Sequence, residues 1–381
     1  MSETVTDYNG LIDSTEALQK ICTKITKAGR VAIDTEFVWE RTFYPALGIV
    51  QLGIDQKRAW LLDIPALNDK LEPLGRLLAD PEIEKIFHDA KQDLTILRIA
   101  TGYYPKNIFD TRLAAGFVGP SSSLSLVDTY REFTGEIIKK DETRSNWLQR
   151  PLSPKQFQYA LNDVLFLPRV RDEIIAKAED LGRRKWLSEE MKLYDDPQLY
   201  DDPPVNQVYS KVKGSGRLKR DELAILRELA AWREKEARRR DRPRRHIIPD
   251  DALIKLSTNQ PDHIDTLKQN CGLSPRAAQR YGQPLLKTIK EGLQVTPADY
   301  PASLQKPRNQ NLAAHSRKLI DFITDLCNDD SLDPALLANR KDIEKLILND
   351  DPKTCNIPLM RGWRYEYAGE KIVREIKLLT E

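Results

Sequence analysis

Val31-Ala32-Ile33-Asp34-Thr35-Glu36-Phe37 decides how the N-terminal half of this chain folds. The apolar triplet reads as a buried strand, and alternation along a strand sends Asp34 and Glu36 to the same face. Carboxylates held that close repel each other and raise a carboxylate pKa unless a cation lies between them. Oxygen ligands of this kind suit Mg²⁺ or Mn²⁺. An acid pair at a strand end is also what an ordinary solvated edge carries, so its meaning depends on the rest of the chain.

Working outward, Ile49–Ile54 and Ala59–Asp63 read as further strands, joined by short turns into an antiparallel meander. Leu71–Leu78 is helical, Lys85–Phe87 strand-like and Gln92–Ala100 helical again. Ile108–Phe109 makes a last short strand, and Thr111–Tyr194 is mainly helical. This order predicts a mixed sheet with helices on both faces. Turn-rich linkers at Asp195–Pro204 and Gln294–Pro307 then divide the 381 residues. The expected parts are a domain over 1–195, a linker over 196–210, a helical module over 211–293, a linker over 294–308 and a second helical module over 309–381.

The two modules read as diverged copies. Ile248–Leu253 parallels Leu332–Leu336, and Arg280-Tyr281-Gly282 with the amphipathic stretch after it parallels Arg361-Gly362-Trp363 and Ala368–Leu379. The overall charge of +2 hides an asymmetry: 1–210 carries −6, 211–293 carries +9, 294–308 carries +1 and 309–381 carries −2. An acidic module beside a basic one suits a metal-dependent enzyme with a polyanionic substrate. No apolar run approaches the roughly 20 residues needed to span a bilayer. Met1–Asn9 has no signal block, and the scattered Cys22, Cys271, Cys327 and Cys355 form no metal-binding pair. A cytoplasmic protein with no membrane association and reduced thiols is expected.

Two more blocks carry candidate chemistry. In His88-Asp89-Ala90-Lys91-Gln92-Asp93, Asp93 falls in the first turns of a helix that follows a strand, where an acid also complements the macrodipole. His88 has no second histidine nearby and reads as a strand-end hydrogen-bonding residue. Ser153-Pro154-Lys155-Gln156 is a strong helix start, with serine at the N-cap, proline at the first position and glutamine at the third. On that helix Tyr159 and Asp163 are four residues apart and share a face, as an ordinary surface pair would also do.

Together, Asp34 and Glu36, Asp93, and Tyr159-x-x-x-Asp163 resemble the three ordered motifs of the DEDDy family of 3′→5′ exonucleases. The likeness is closer to its ribonuclease D branch, through Asp34–Pro45, Gly48–Leu52, Glu142–Trp147 and Arg150–Ser153. Asn146 stands where that branch often has aspartate. The two helical modules resemble HRDC domains, which bind nucleic acid.

The resemblance implies an α/β ribonuclease-H-like mixed-sheet exonuclease domain followed by two all-α HRDC-type domains. It also implies two divalent ions, Mg²⁺ or Mn²⁺, which in such sites lie about 3.5–4 Å apart. Asp34 would bridge them, Glu36 and Asp163 would complete one site, and Asp93 would support the other. Tyr159 would orient the attacking water, since a phenol with a pKa near 10 is a poor base. The implied activity is metal-dependent hydrolysis of RNA from the 3′ end, releasing nucleoside 5′-monophosphates, with structured RNAs such as tRNA precursors as substrates in a bacterial cell.

For RNA binding, Phe37 is the candidate stacking residue in an aromatic cluster that includes Trp39, Phe43 and Tyr44. Arg41 and Arg144 are candidate phosphate partners. Within the basic run Arg233–His246, Arg238, Arg239 and Arg240 are candidate backbone contacts. A monomer is expected. Two alternatives stand at this point: a DNA exonuclease, because no residue here tests for a 2′-hydroxyl, and a binding adaptor without catalysis, whose mark would be a missing carboxylate. All four carboxylates are present.

Overall fold

Apolar residues alternate along the second strand, and each set meets its own layer of helices. The computed structural model describes residues 10–119, 121–137, 145–305, 311–349 and 351–380. Glu142, Thr143 and Arg144 of the third block lie outside the described residues, as do Met1–Asn9 and the linker's Lys306 and Pro307. Strands β1 (Leu11–Ile12), β2 (Arg30–Val38), β3 (Ala46–Gly53), β4 (Ala59–Asp63), β5 (Glu84–Phe87) and β6 (Ile108–Asp110) form one sheet. Their order is β1-β4-β3-β2-β5-β6. β3 and β4 are antiparallel, with Gln51 opposite Leu61, whereas β1–β4, β2–β5 and β5–β6 are parallel. The sheet is therefore mixed, as expected.

On one face, Val31 and Ile33 pack with α1 (Thr15–Ala28), α2 (Ile64–Leu67), α3 (Glu72–Ala79) and α4 (Lys91–Thr101). Helix α1 and strand β1 are additions to the elements read from sequence. Its signals are local: Ser14 caps the N-terminus, Gly29 ends it at φ 69°, and Leu18, Ile21, Cys22 and Ile25 make its buried stripe. On the other face, Ala32 packs with α5 (Thr111–Ala115), α6 (Leu126–Thr134), α7 (Pro154–Leu165), α8 (Leu167–Asp180) and α9 (Arg184–Met191).

The helical modules follow. The first contains α10 (Arg220–Arg239), α11 (Arg244–Ile247), α12 (Asp250–Asn259), α13 (Ile264–Asn270) and α14 (Pro275–Leu293). The C-terminal one contains α15 (Leu312–Asn328), α16 (Pro334–Leu337), α17 (Arg340–Ile347), α18 (Gly362–Arg364) and α19 (Glu370–Thr380). The aligned tripeptides differ in setting, since Arg280-Tyr281-Gly282 lies inside α14 whereas Gly362 opens α18 at φ 50°.

Two compact units result. The described residues of Met1–Val38, Leu47–Asp201 and Asn309–Glu381 form one, and Trp39–Ala46 with Asp202–Arg308 form the other. The C-terminal helices thus share a core with the sheet: Leu319, Leu346, Trp363 and Ile372 belong to the same apolar cluster as Phe117 and Leu187. A buried polar joint fixes them there. Arg364 makes two 2.7 Å hydrogen bonds to the two oxygens of Glu190, and the Trp363 indole N–H donates to the same carboxylate at 2.9 Å. Arg183 donates to the carbonyls of Phe117 at 2.8 Å and Ser331 at 3.3 Å.

Removing one partner of a buried pair leaves the other charge uncompensated. Arg364→Ala is expected to lower the unfolding free energy by about 3–5 kcal/mol, read from urea denaturation. Arg131→Ala, which breaks a largely exposed pair with Asp128, is expected to cost under about 1 kcal/mol. Equal effects from the two would contradict the joint's role.

Candidate metal and catalytic site

Asp34 and Glu36 leave β2 on the side covered by α7, and Asp163 reaches them from that helix. Oxygens of the three carboxylates lie within 4.8 Å of one another, and all three residues are half-buried. The approach of α7 needs a bare backbone beneath it: a Cβ on Gly53 would lie 2.9 Å from the Val164 carbonyl oxygen. The helix start matches its sequence signal, with Ser153 and Gln156 forming a capping box and Pro154 at the first position.

Asp93 is not a member of the close trio. It sits in the first turn of α4, buried, and accepts a short hydrogen bond from the Thr35 hydroxyl. Thr35 alternates to the opposite side of β2 from its acidic neighbours, so this one threonine ties Asp93 to the strand that bears Asp34 and Glu36. The entry to α4 is held by Asp110, a buried acid at the end of β6. Its carboxylate accepts from the N–H groups of Asp89 at 3.0 Å and Ala90 at 2.9 Å. It also caps α5 and accepts from the Tyr194 hydroxyl at 2.7 Å. Asp89 takes a left-handed conformation, φ 67°, which aspartate tolerates better than most residues.

Tyr159 lies one turn before Asp163, whose charge acts on its phenol. Trp147 packs beside the phenol, with ring centroids 6.1 Å apart. Arg150 secures that loop through Asp63, at 2.7 and 2.9 Å, and through the carbonyls of Trp147 and Gly48. His88 is engaged elsewhere, with Nδ1 at 3.0 Å from the Thr111 hydroxyl and Nε2 at 3.1 Å from the Leu124 carbonyl.

Burial and the charges of neighbouring acids push Asp34, Glu36 and Asp93 toward the protonated form. Burial raises Asp34 well above the usual carboxylate range, and the charges of Asp93, Asp163 and Glu36 raise it further. Glu36 is pushed up to about 8 by burial and then by Asp163 and Asp93. Asp93 rises to about 6, chiefly by burial, against the lowering effect of the Thr35 hydroxyl. The Tyr159 phenol is raised by burial and by the same carboxylates, so it keeps its proton. A donor set of clustered oxygens that cannot all ionise unaided fits hard divalent cations.

Among the RNA-binding candidates, Phe37 is half-buried near the end of β2. Phe43 and Tyr44 go instead into the core of the other compact unit, and Trp39 is 53% exposed. Arg238 pairs with Glu234 at 3.0 Å and Asp202 at 3.2 Å, Arg239 pairs with Glu236 at 2.9 Å, and Arg240 also pairs with Glu236. Part of the charge of the basic run is therefore engaged within the protein. Sequence reasoning missed Thr35, Asp110 and Arg150. Only Asp110 carried a local signal, as an aspartate between a strand and a helix start.

The sequence pattern of the 3′-5′ exonuclease family matches residues 10–179, and that of the HRDC domain matches residues 222–289. A ribonuclease D of Desulfotalea psychrophila is 40% identical over 362 residues, covering 94% of this chain and 96% of its own length. That of Bartonella henselae is 34% identical over 378 residues, covering 96% and 90%. The crystal structure of Escherichia coli RNase D, described as an exoribonuclease involved in structured RNA processing, superposes with a TM-score of 0.87 at 26% identity, over 97% of this chain and 99% of that one.

Raised carboxylate pKa values mean that the folded protein binds more protons than the unfolded chain between the two sets of values. Stability of the metal-free protein therefore falls as pH rises from about 4.5 toward 8. Thermal melts in chelator are expected to show Tm dropping over that window, with millimolar Mg²⁺ restoring it at pH 8 and doing little at pH 5. Asp163→Asn should raise the metal-free Tm at pH 8 and remove the Mg²⁺ response. A flat profile would contradict the crowding of these acids. Thr35→Val is expected to reduce kcat about 10- to 100-fold while leaving the fold intact, because it frees Asp93 without deleting a carboxylate; unchanged kcat would show that Asp93 needs no such tether.

Proposed function

This chain belongs to the ribonuclease D family of 3′→5′ exoribonucleases, and we propose that it trims RNA 3′ ends with Asp34, Glu36, Asp93, Asp163 and Tyr159 as its catalytic residues. The observation that carries this reading is the meeting of Asp34, Glu36 and Asp163, from a strand and a helix far apart in sequence, within 4.8 Å. The four acids would hold two Mg²⁺ or Mn²⁺ ions, which when bound lower the pKa of water and neutralise charge developing on the phosphate. The charges of Asp93, Asp163 and Glu36 all act on Asp34, and by the family resemblance it would contribute to both ion sites. Tyr159, kept protonated by burial and its acidic neighbours, holds a water or phosphate oxygen as a hydrogen-bond donor rather than removing a proton.

The products are nucleoside 5′-monophosphates, and the substrates are RNAs with a single-stranded 3′ tail, tRNA precursors among them. In the proposed division of labour, residues 1–195 carry the chemistry, 211–293 supply positive charge for the RNA, and 309–381, a second HRDC-like module, brace the catalytic domain. The protein acts as a monomer in the cytoplasm. Among the described residues no helix is long and apolar enough to cross a membrane, and all four cysteines are unpaired and buried.

The test is a time course on a 5′-labelled single-stranded RNA beside a DNA of the same sequence, with Mg²⁺, with Mn²⁺ and with chelator. A metal-dependent ladder shortening from the 3′ end of the RNA, with DNA largely spared, is expected. Asp163→Asn should abolish that ladder while RNA binding stays within a few-fold. Binding without cleavage in either metal would contradict the proposal.

A further inference from the structure

The connection between β2 and β3 belongs to the compact unit of the first helical module. Phe43 is the anchor. Its ring is buried in that module's core beneath the guanidinium of Arg244, 4.6 Å from the ring centroid, and its N–H donates to Asp241 at 2.8 Å. Tyr44 adds a 2.7 Å hydrogen bond to Asp202. The Trp39 indole N–H donates to the Phe43 carbonyl at 3.1 Å, so the ring is tethered by its edge while more than half of the residue stays exposed. A large aromatic face is thereby presented to solvent without being free to turn away.

Beside that face lies a cavity of about 480 Å³, within the range of small-molecule sites and large enough for a nucleotide. Its charges divide into two sets. Arg233 and Arg244 are spoken for, by Asp250 at 2.7 Å and Glu234 at 2.8 Å respectively. Lys211 and Arg245 are exposed, and among the described residues no acid pairs with either. Among the described residues Glu40 is the only lining acid not already paired, which leaves the cavity a surplus of positive charge. A fixed, exposed aromatic ring next to unpaired cations is the make-up of a site that stacks a base and holds its phosphates. Only Phe37 and Val38 separate Trp39 from Glu36 along the chain.

We propose that this cavity is an RNA subsite, in which a base of the single strand stacks on Trp39 and the flanking phosphates pair with Lys211 and Arg245. The proposal rests on the exoribonuclease reading. It assigns backbone contact to cations other than Arg238, Arg239 and Arg240, whose charge is shared with acids.

The experiment is fluorescence anisotropy of a short 5′-labelled single-stranded RNA on the full chain in chelator, over a series of salt concentrations, with trimming kinetics in Mg²⁺ alongside. Trp39→Ala should weaken binding on the order of tenfold, and Trp39→Phe should restore most of it, because any aromatic ring supports stacking. Lys211→Ala with Arg245→Ala should lower the slope of log affinity against log salt by about 1.4, at about 0.7 per phosphate contact on a single strand. In trimming, both losses should fall in KM. Unchanged affinity in Trp39→Ala, an unchanged salt slope in the double variant, or a loss confined to kcat would each overturn the subsite. Displacement of an acidic peptide, with RNA unaffected by the substitutions, would reassign the cavity to a protein partner. Failure of the wild-type chain to trim RNA would instead overturn the exoribonuclease reading, so the two failures are told apart by the unmodified protein.

Discussion

Like charges held together inside a protein repel, and the catalytic unit is arranged to hold three of them within 4.8 Å. Asp34 and Glu36 are close because a strand places alternate residues on one face. Asp163 joins them because α7 can lie flat on the sheet at Gly53, where any larger residue would meet the Val164 carbonyl. Desolvation and repulsion together raise Asp34 and Glu36, the latter to about 8, so that the metal-free site carries protons at neutral pH. The assembly is therefore least at ease alone and suited to hard cations, and under the proposed reading folding, metal affinity and catalysis would be linked through the same residues.

What holds the acids in place is a ring of uncharged or paired groups around them. Thr35 tethers Asp93, Asp110 gathers the N–H groups at the entry to α4, and Arg150 fixes the loop that carries Trp147 against Tyr159. Farther out, the Arg364–Glu190 joint fastens the C-terminal helices into the core behind the sheet. Each of these partners spans a long sequence separation, so the geometry of the site depends on the unit being completely folded.

The parts of this structure that follow from local pattern were legible in the sequence. The strand under Asp34, the capping box of α7 and the shared face of Tyr159 and Asp163 needed only period and cap residues. Helix α1 carries equally plain signals in Ser14, Gly29 and its apolar stripe, although it is absent from the elements expected above. The pairing of Arg238, Arg239 and Arg240 with Glu234 and Glu236 was likewise visible as three- and four-residue spacings. Other features were not readable, for a physical reason. The bond from Thr35 to Asp93 spans 58 residues and that from Phe43 to Asp241 spans 198. Nothing in the local run of aromatic residues after Glu36 distinguishes Phe43, which serves another unit's core, from Trp39, which faces solvent.

We propose that Asp34 would contribute to both of two ion sites. Electron paramagnetic resonance of Mn²⁺ bound to the protein tests it directly, because two ions a few ångströms apart couple magnetically and an isolated ion does not. In the presence of nucleoside 5′-monophosphate, wild-type protein should bind two coupled ions, and Asp34→Asn should lose both. Binding of one uncoupled ion, or two ions retained by the Asp34→Asn variant, would contradict the shared role of that carboxylate.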